Sequence, residues 1–141
     1  MTMFDGGRNI AVLGRAGSGK SVLLRVMMLR AVRRWGRGAV AITALSGTAA
    51  VGVGGQTIHS LFGWDVRPLN KNDWLEQAWG KPILCEKLNR ARVVFVDEAP
   101  TMAASLFTRM AHVMRHEAPA HLRGRPFGGC QMVRTLEEPS L

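Results

Sequence analysis

Gly14-Arg15-Ala16-Gly17-Ser18-Gly19-Lys20-Ser21 is the stretch from which the rest of the sequence can be read. It matches G-x-x-x-x-G-K-[ST] at every fixed position. Immediately before it, Asn9–Leu13 (NIAVL) is a short apolar run that reads as a buried strand. Immediately after it, Ser21 to about Trp35 carries Leu, Val, Met and Arg in helical proportion and is closed by Gly36 and Gly38. A strand, a glycine-rich turn and a helix are the setting a phosphate-cradling loop requires. Glycines let successive N–H groups converge on phosphate oxygens, and the helix aims the positive end of its dipole at the same anion. In that geometry Lys20 reaches the β- and γ-phosphates and the Ser21 hydroxyl can ligate magnesium.

Working outward, Ala39–Ala44 (AVAITA) reads as a second buried strand and Ala91–Val96 (ARVVFV) as a third. The small-residue segment SGTAAVGVGG between them reads as a short helix. Residues 63–82 mix Pro, Asn, Gly and charges and read as a surface connector. Thr101 is placed to cap a helix over 102–116, with Leu106, Met110 and Val113 facing inward. After Pro119 the pattern is loop-like until Cys130–Val133, a candidate fourth strand. Buried strands alternating with helices predict an α/β lobe with a mainly parallel sheet flanked by helices. Residues 1–133 would form it and residues 134–141 a divergent tail, leaving the sheet incomplete at the C-terminus.

The third strand ends in Asp97-Glu98, two carboxylates at the strand end where ligands bind in open α/β sheets. About 80 residues after a phosphate loop, such a pair suits Asp97 to magnesium and Glu98 to orienting or deprotonating an attacking water. Lys20 and Glu98 are therefore the candidate catalytic residues, and Ser21 and Asp97 the candidate metal ligands. The cofactors expected are ATP and magnesium.

The 141 residues carry 19 Lys+Arg against 10 Asp+Glu, a formal net charge of +9. Residues 1–60 hold 8 basic and 1 acidic side chain, so the excess gathers around the phosphate loop and the segment that follows. Arg30, Arg33, Arg34 and Arg37 form one helical stripe. Without interleaved aromatics it reads as a solvated face complementing the helix C-terminus more readily than as a nucleic-acid patch. No apolar run approaches a membrane span, and MTMFDGGRNI lacks the pattern of a targeting signal. Cys85 and Cys130 make neither a disulfide framework nor a zinc set, which points to a reduced, intracellular setting. His112 and His116 have helical metal-pair spacing without a third ligand in view and read as surface histidines.

Val40–Trp64 (VAITALSGTAAVGVGGQTIHSLFGW) resembles the first single-strand-contacting motifs of the Pif-type (petite integration frequency) superfamily-one DNA helicases. GRAGSGKSVLLR, VFVDEAPTMAASLF and the late PFGGCQMV (Pro126–Val133) resemble successive motifs of the same family, in order and spacing. The resemblance implies a P-loop NTPase lobe of RecA-like fold. It further implies an ATP-dependent 5′-to-3′ DNA helicase of repair, recombination and telomere maintenance, working in the nucleus or mitochondrion. It assigns single-stranded DNA as partner, with Thr43, Ser46 and Gly47 on its backbone and Thr57, His59 and Phe62 nearby. Hydroxyls, glycine amides, an imidazole and an aromatic ring suit such a track.

Three departures from the family pattern shape the expectation. Only MTMFDGG precedes the first strand, where the family has a glutamine-bearing segment that reads adenine. Ala99-Pro100-Thr101 stands where the family has Ile-Ser-Met, and Pro100 removes a backbone donor behind the carboxylates. After Gln131-Met132-Val133 the family continues along a strand to a Gly-Asp motif; RTLEEPSL is expected to leave the sheet instead. The family's second lobe, with its arginine finger, has no counterpart in these residues. Two other readings use the same phosphate loop: an inactive nucleotide- and single-strand-binding remnant, and a small nucleotide kinase, for which no arginine-rich lid is visible.

Overall fold

The computed structural model describes residues 2–64, 82–97 and 104–138. Strands β1 (Ile10–Gly14), β2 (Val40–Ala44), β3 (Gln56–Thr57), β4 (Val93–Asp97) and β5 (Gln131–Glu137) form one parallel sheet. Their spatial order is β1-β5-β4-β2-β3, so the last strand lies between the first and the fourth. Helices α1 (Thr2–Asp5), α2 (Lys20–Trp35), α3 (Gly47–Val53), α4 (Ile58–Phe62), α5 (Pro82–Arg90) and α6 (Ala104–Glu117) flank it.

The alternation of β4 explains why both faces are covered. Successive side chains of a strand point to opposite faces. Val93 and Phe95 therefore join Phe4, Leu24, Met27, Met28, Ala31 and Val133 on one face. Val94 and Val96 join Ile58, Leu61, Phe62, Met110, Val113 and Met132 on the other. The inward set expected for α6 is observed: Met110 and Val113 are fully buried, and Leu106 packs against the same cluster. On α2 the buried stripe is Leu24, Met27, Met28 and Ala31, while Val22, Val26 and Leu29 stay exposed on its outer side.

Helix ends follow local chemistry. Gly36 closes α2 at φ 82°, donating its N–H to Val32 O. The Ser46 hydroxyl accepts from Ala49 N to start α3, and the Thr57 hydroxyl accepts from Ser60 N to start α4. Two arginines of the expected stripe are committed internally. Arg30 pairs bidentately with Asp5 at 2.7 Å, and Arg34 donates to Asp5 O while its guanidinium lies over the Trp35 ring. The structure thus assigns that half of the stripe to fastening the first helix.

The tail departs from expectation. Residues 134–137 do not leave the sheet; β5 continues through Glu137, pairing with both β1 and β4. β1 pairs with residues 133–137 and β4 with residues 131–135, and such backbone hydrogen bonds hold a polar segment as well as an apolar one. The connector expected at 63–82 lies mostly outside the described residues, as do the Thr101 cap and Pro100. Pro82–Arg90 forms a helix that the sequence pattern did not disclose.

Candidate nucleotide site and single-strand track

The phosphate loop leaves β1 at Gly14 and enters α2 at Lys20. A Cβ at Gly14 would lie 2.5 Å from Ser18 Oγ, so any side chain there would displace the Ser18 hydroxyl. Gly17 and Gly19 stand at φ 77° and 86°, left-handed conformations that L side chains rarely adopt. Gly19 is also the residue preceding α2, and no side chain caps that helix. Its first N–H groups are therefore presented to whatever anion enters.

Ala16, Gly17, Ser18, Gly19, Lys20 and Ser21 line one side of a cleft of about 510 Å³. Asp97 lines it from the end of β4, Thr135 and Glu137 from β5, and Ala49 from α3. Lys20 Nζ donates to the loop's own carbonyls, Gly14 O at 2.5 Å and Arg15 O at 2.8 Å. Among the described residues no carboxylate pairs with it. The amides, the ammonium, the Ser21 hydroxyl and the Asp97 carboxylate form the donor set a magnesium–polyphosphate needs: donors for its oxygens, hard oxygen ligands for its metal. The residues present fit that group. Glu98, the other candidate catalytic residue, lies outside the described residues.

The single-strand candidates divide. Ser46 and Gly47 are exposed just beyond the end of β2, and Thr57 and His59 are half-buried where β3 passes into α4. Burial and the nearby Arg109 cation hold the His59 imidazole below its ordinary pKa, favouring the neutral ring. Thr43 and Phe62 are corrections. Thr43 is fully buried in the sheet interior, its hydroxyl donating to Phe95 O at 2.8 Å. Phe62 is fully buried too, stacked on Trp64 with ring centroids 4.4 Å apart, and fills the core under α4. Both hold the motif together and neither offers a surface to a strand.

Three residues of the cleft or its frame escaped the sequence reading. Thr135 and Glu137 were missed because the tail was expected to leave the sheet; Val133, Thr135 and Leu136 were the available β-type signal. Gln131 was seen only as part of a motif. Its side-chain amide donates to Phe4 O and Arg8 O at 3.0 and 2.7 Å. Of the histidine pair, His116 is exposed beside Glu117 and His112 is half-buried. Cys130 is a free, buried thiol, its pKa pushed up to about 12 by burial. No described helix is long and apolar enough to cross a membrane.

The family profile described as PIF1-like helicase matches residues 1–135. The chain is 34% identical over 139 residues to the ATP-dependent DNA helicase PIF1 of Saccharomyces cerevisiae, covering 92% of this chain and 15% of that protein. Its fold superimposes on the crystal structure of Pif1 helicase from Candida albicans with a TM-score of 0.86 and 27% identity, over 96% of this chain and 30% of the other. A Bacteroides Pif1 helicase solved with ADP-AlF3 and single-stranded DNA matches with a TM-score of 0.75 and 27% identity, over 93% and 28%. The chain therefore spans under a third of each of these relatives. A phosphate loop, an opposed carboxylate and a five-stranded parallel sheet, matched over nearly the whole chain, make it a member of the PIF1-like helicase family.

Proposed function

We propose that this chain is the phosphate-binding part of an ATP-driven DNA helicase, acting 5′ to 3′ in repair, recombination and telomere maintenance. The observation that carries the reading is the cleft itself, with the loop amides, Lys20, Ser21 and Asp97 around one space. The yeast relative's name as an ATP-dependent DNA helicase and the Bacteroides helicase with ADP-AlF3 and single-stranded DNA support it.

The mechanism follows from the residues. Loop amides and the start of α2 bind the phosphates by hydrogen bonds and dipole. Lys20, released from Gly14 O and Arg15 O, neutralises charge on the β- and γ-phosphates. Ser21 and Asp97 would hold magnesium, which supplies further neutralisation of the phosphoryl oxygens when bound. Glu98 is assigned the orientation or deprotonation of the attacking water. Ser46, Gly47, Thr57 and His59, on the same C-terminal edge of the sheet, are assigned to the single strand. Coupling to unwinding belongs to the larger assembly, because an arginine finger contributes about 10³–10⁵-fold to hydrolysis in related enzymes. The chain alone should bind Mg-ATP weakly and separate no duplex.

The test is equilibrium binding and turnover of Mg-ATP by the 141-residue chain, with and without single-stranded DNA. Lys20→Ala should remove nucleotide binding. Turnover unchanged by that substitution, or unwinding of a tailed duplex by the chain alone, would overturn the reading.

A further inference from the structure

Thr135 sits in the middle of the sheet, 1% exposed, as the register partner of Asp97 in β4 and of Val12 in β1. In-register neighbours of a parallel ladder direct their side chains to the same face. The pairing therefore sets a hydroxyl directly against the candidate metal-holding carboxylate. Thr135 Oγ1 donates to Asp97 Oδ1 at 2.6 Å, a length typical of charge-assisted O–H···O⁻ bonds. Threonine's β-branched side chain has a stiff χ1, so the donor is held by its own backbone as well as by packing. With one oxygen of Asp97 fixed in this way, the carboxylate cannot swing freely, and its second oxygen remains for the cleft. Both residues line that cleft.

We propose that Thr135 is a positioning residue that orients Asp97 toward the magnesium of a bound nucleotide. The inference rests on the reading of the cleft as a Mg-ATP site. Partners of metal-holding groups commonly contribute about 10–100-fold to metal affinity. An isosteric Thr135→Val removes the donor and keeps the shape. Thr135→Ser keeps the donor on a looser side chain.

The experiment measures the affinity of the full chain for a fluorescent ATP analogue with magnesium and with EDTA. Thr135→Val should lose about 10-fold or more of the magnesium-dependent gain in affinity, leave the EDTA value unchanged, and be rescued by Thr135→Ser. In an Asp97→Asn background, Thr135→Val should have no further effect. Wild-type magnesium dependence in Thr135→Val would overturn the proposal. So would an equal loss with and without magnesium, which would mark a purely structural threonine. Lack of binding by the wild-type chain would instead overturn the nucleotide reading on which it stands.

Discussion

The two ends of the sheet are built on opposite rules. At the N-terminal ends of the strands, several polar side chains fasten neighbouring elements together. Gln131 donates to Phe4 O and Arg8 O, the Asn9 side chain accepts from Met132 N, and Asp5 takes both arms of Arg30. Phe4 plugs the gap, 1% exposed, against Trp35 and Phe95. At the C-terminal ends the loop amides face a cleft, Lys20 falls back on loop carbonyls, and a helix starts with no side-chain cap. One end spends its side chains on stability; the other keeps donors for an external anion. The fold can therefore be damaged and the site spared, or the reverse.

The sharpest break would come at Phe4. Phe4→Ala should destabilise the chain by about 3–5 kcal/mol, read as a lowered urea midpoint, while nucleotide affinity of the folded fraction stays within about twofold, the two ends being independent as for well-separated sites. A nucleotide affinity that collapsed along with stability would show the two ends to be one unit.

Gln131→Met is the next test. It keeps bulk and deletes both buried donors, and should cost about 1–3 kcal/mol in the same unfolding measurement. An unchanged midpoint would remove Gln131 from the fastening of the first helix.

The smallest effect concerns acid. Hydrogen bonds from Arg30 hold the Asp5 carboxyl below the usual carboxylate range. A depressed folded pKa contributes stability that is present above the unfolded pKa and is lost as pH falls through the folded one. The pair is largely solvated, with side-chain exposures of 51% and 33%, so the contribution should be slight and salt-sensitive. Asp5→Asn should lower stability slightly at neutral pH, where the pair is formed, and converge with wild type as pH falls below about 4, flattening the acid limb. An acid limb identical to wild type would show the contact to be energetically idle.

Much of this was legible because the deciding signals are local. A loop that must wrap a phosphate dictates glycines at fixed spacing, and the eight residues Gly14–Ser21 state that outright. The apolar runs at Asn9–Leu13, Ala39–Ala44 and Ala91–Val96 gave their strands to within about two residues. β4 is buried on both faces and continuously apolar, whereas β1, expected to be buried, is an edge strand that leaves Ala11 and Leu13 exposed. What stayed hidden depends on contacts between distant residues. Thr135 and Glu137 look like a polar tail until β1 pairs with both and β4 with Thr135. Thr43 and Phe62 look like groups offered to a ligand, and only the packed structure turns them inward. Arg30 looks solvated because Asp5 lies 25 positions away.

The place of β5 carries a consequence for how the chain is made. Asn9 and Met132 are bonded across 123 positions, and β5 must slot between strands synthesised long before it. Contacts between residues so far apart are slow to form, because loop closure comes before their reward. Until residue 131 has left the ribosome, β1 and β4 have no shared neighbour, although Phe4, Leu24 and Met27 already exist to pack on Val93 and Phe95. Synthesis that stalls before β5 is complete loses the middle of the sheet rather than its fringe. A nascent chain of this fold is thus open at mid-sheet from the completion of β4 until β5 has been made.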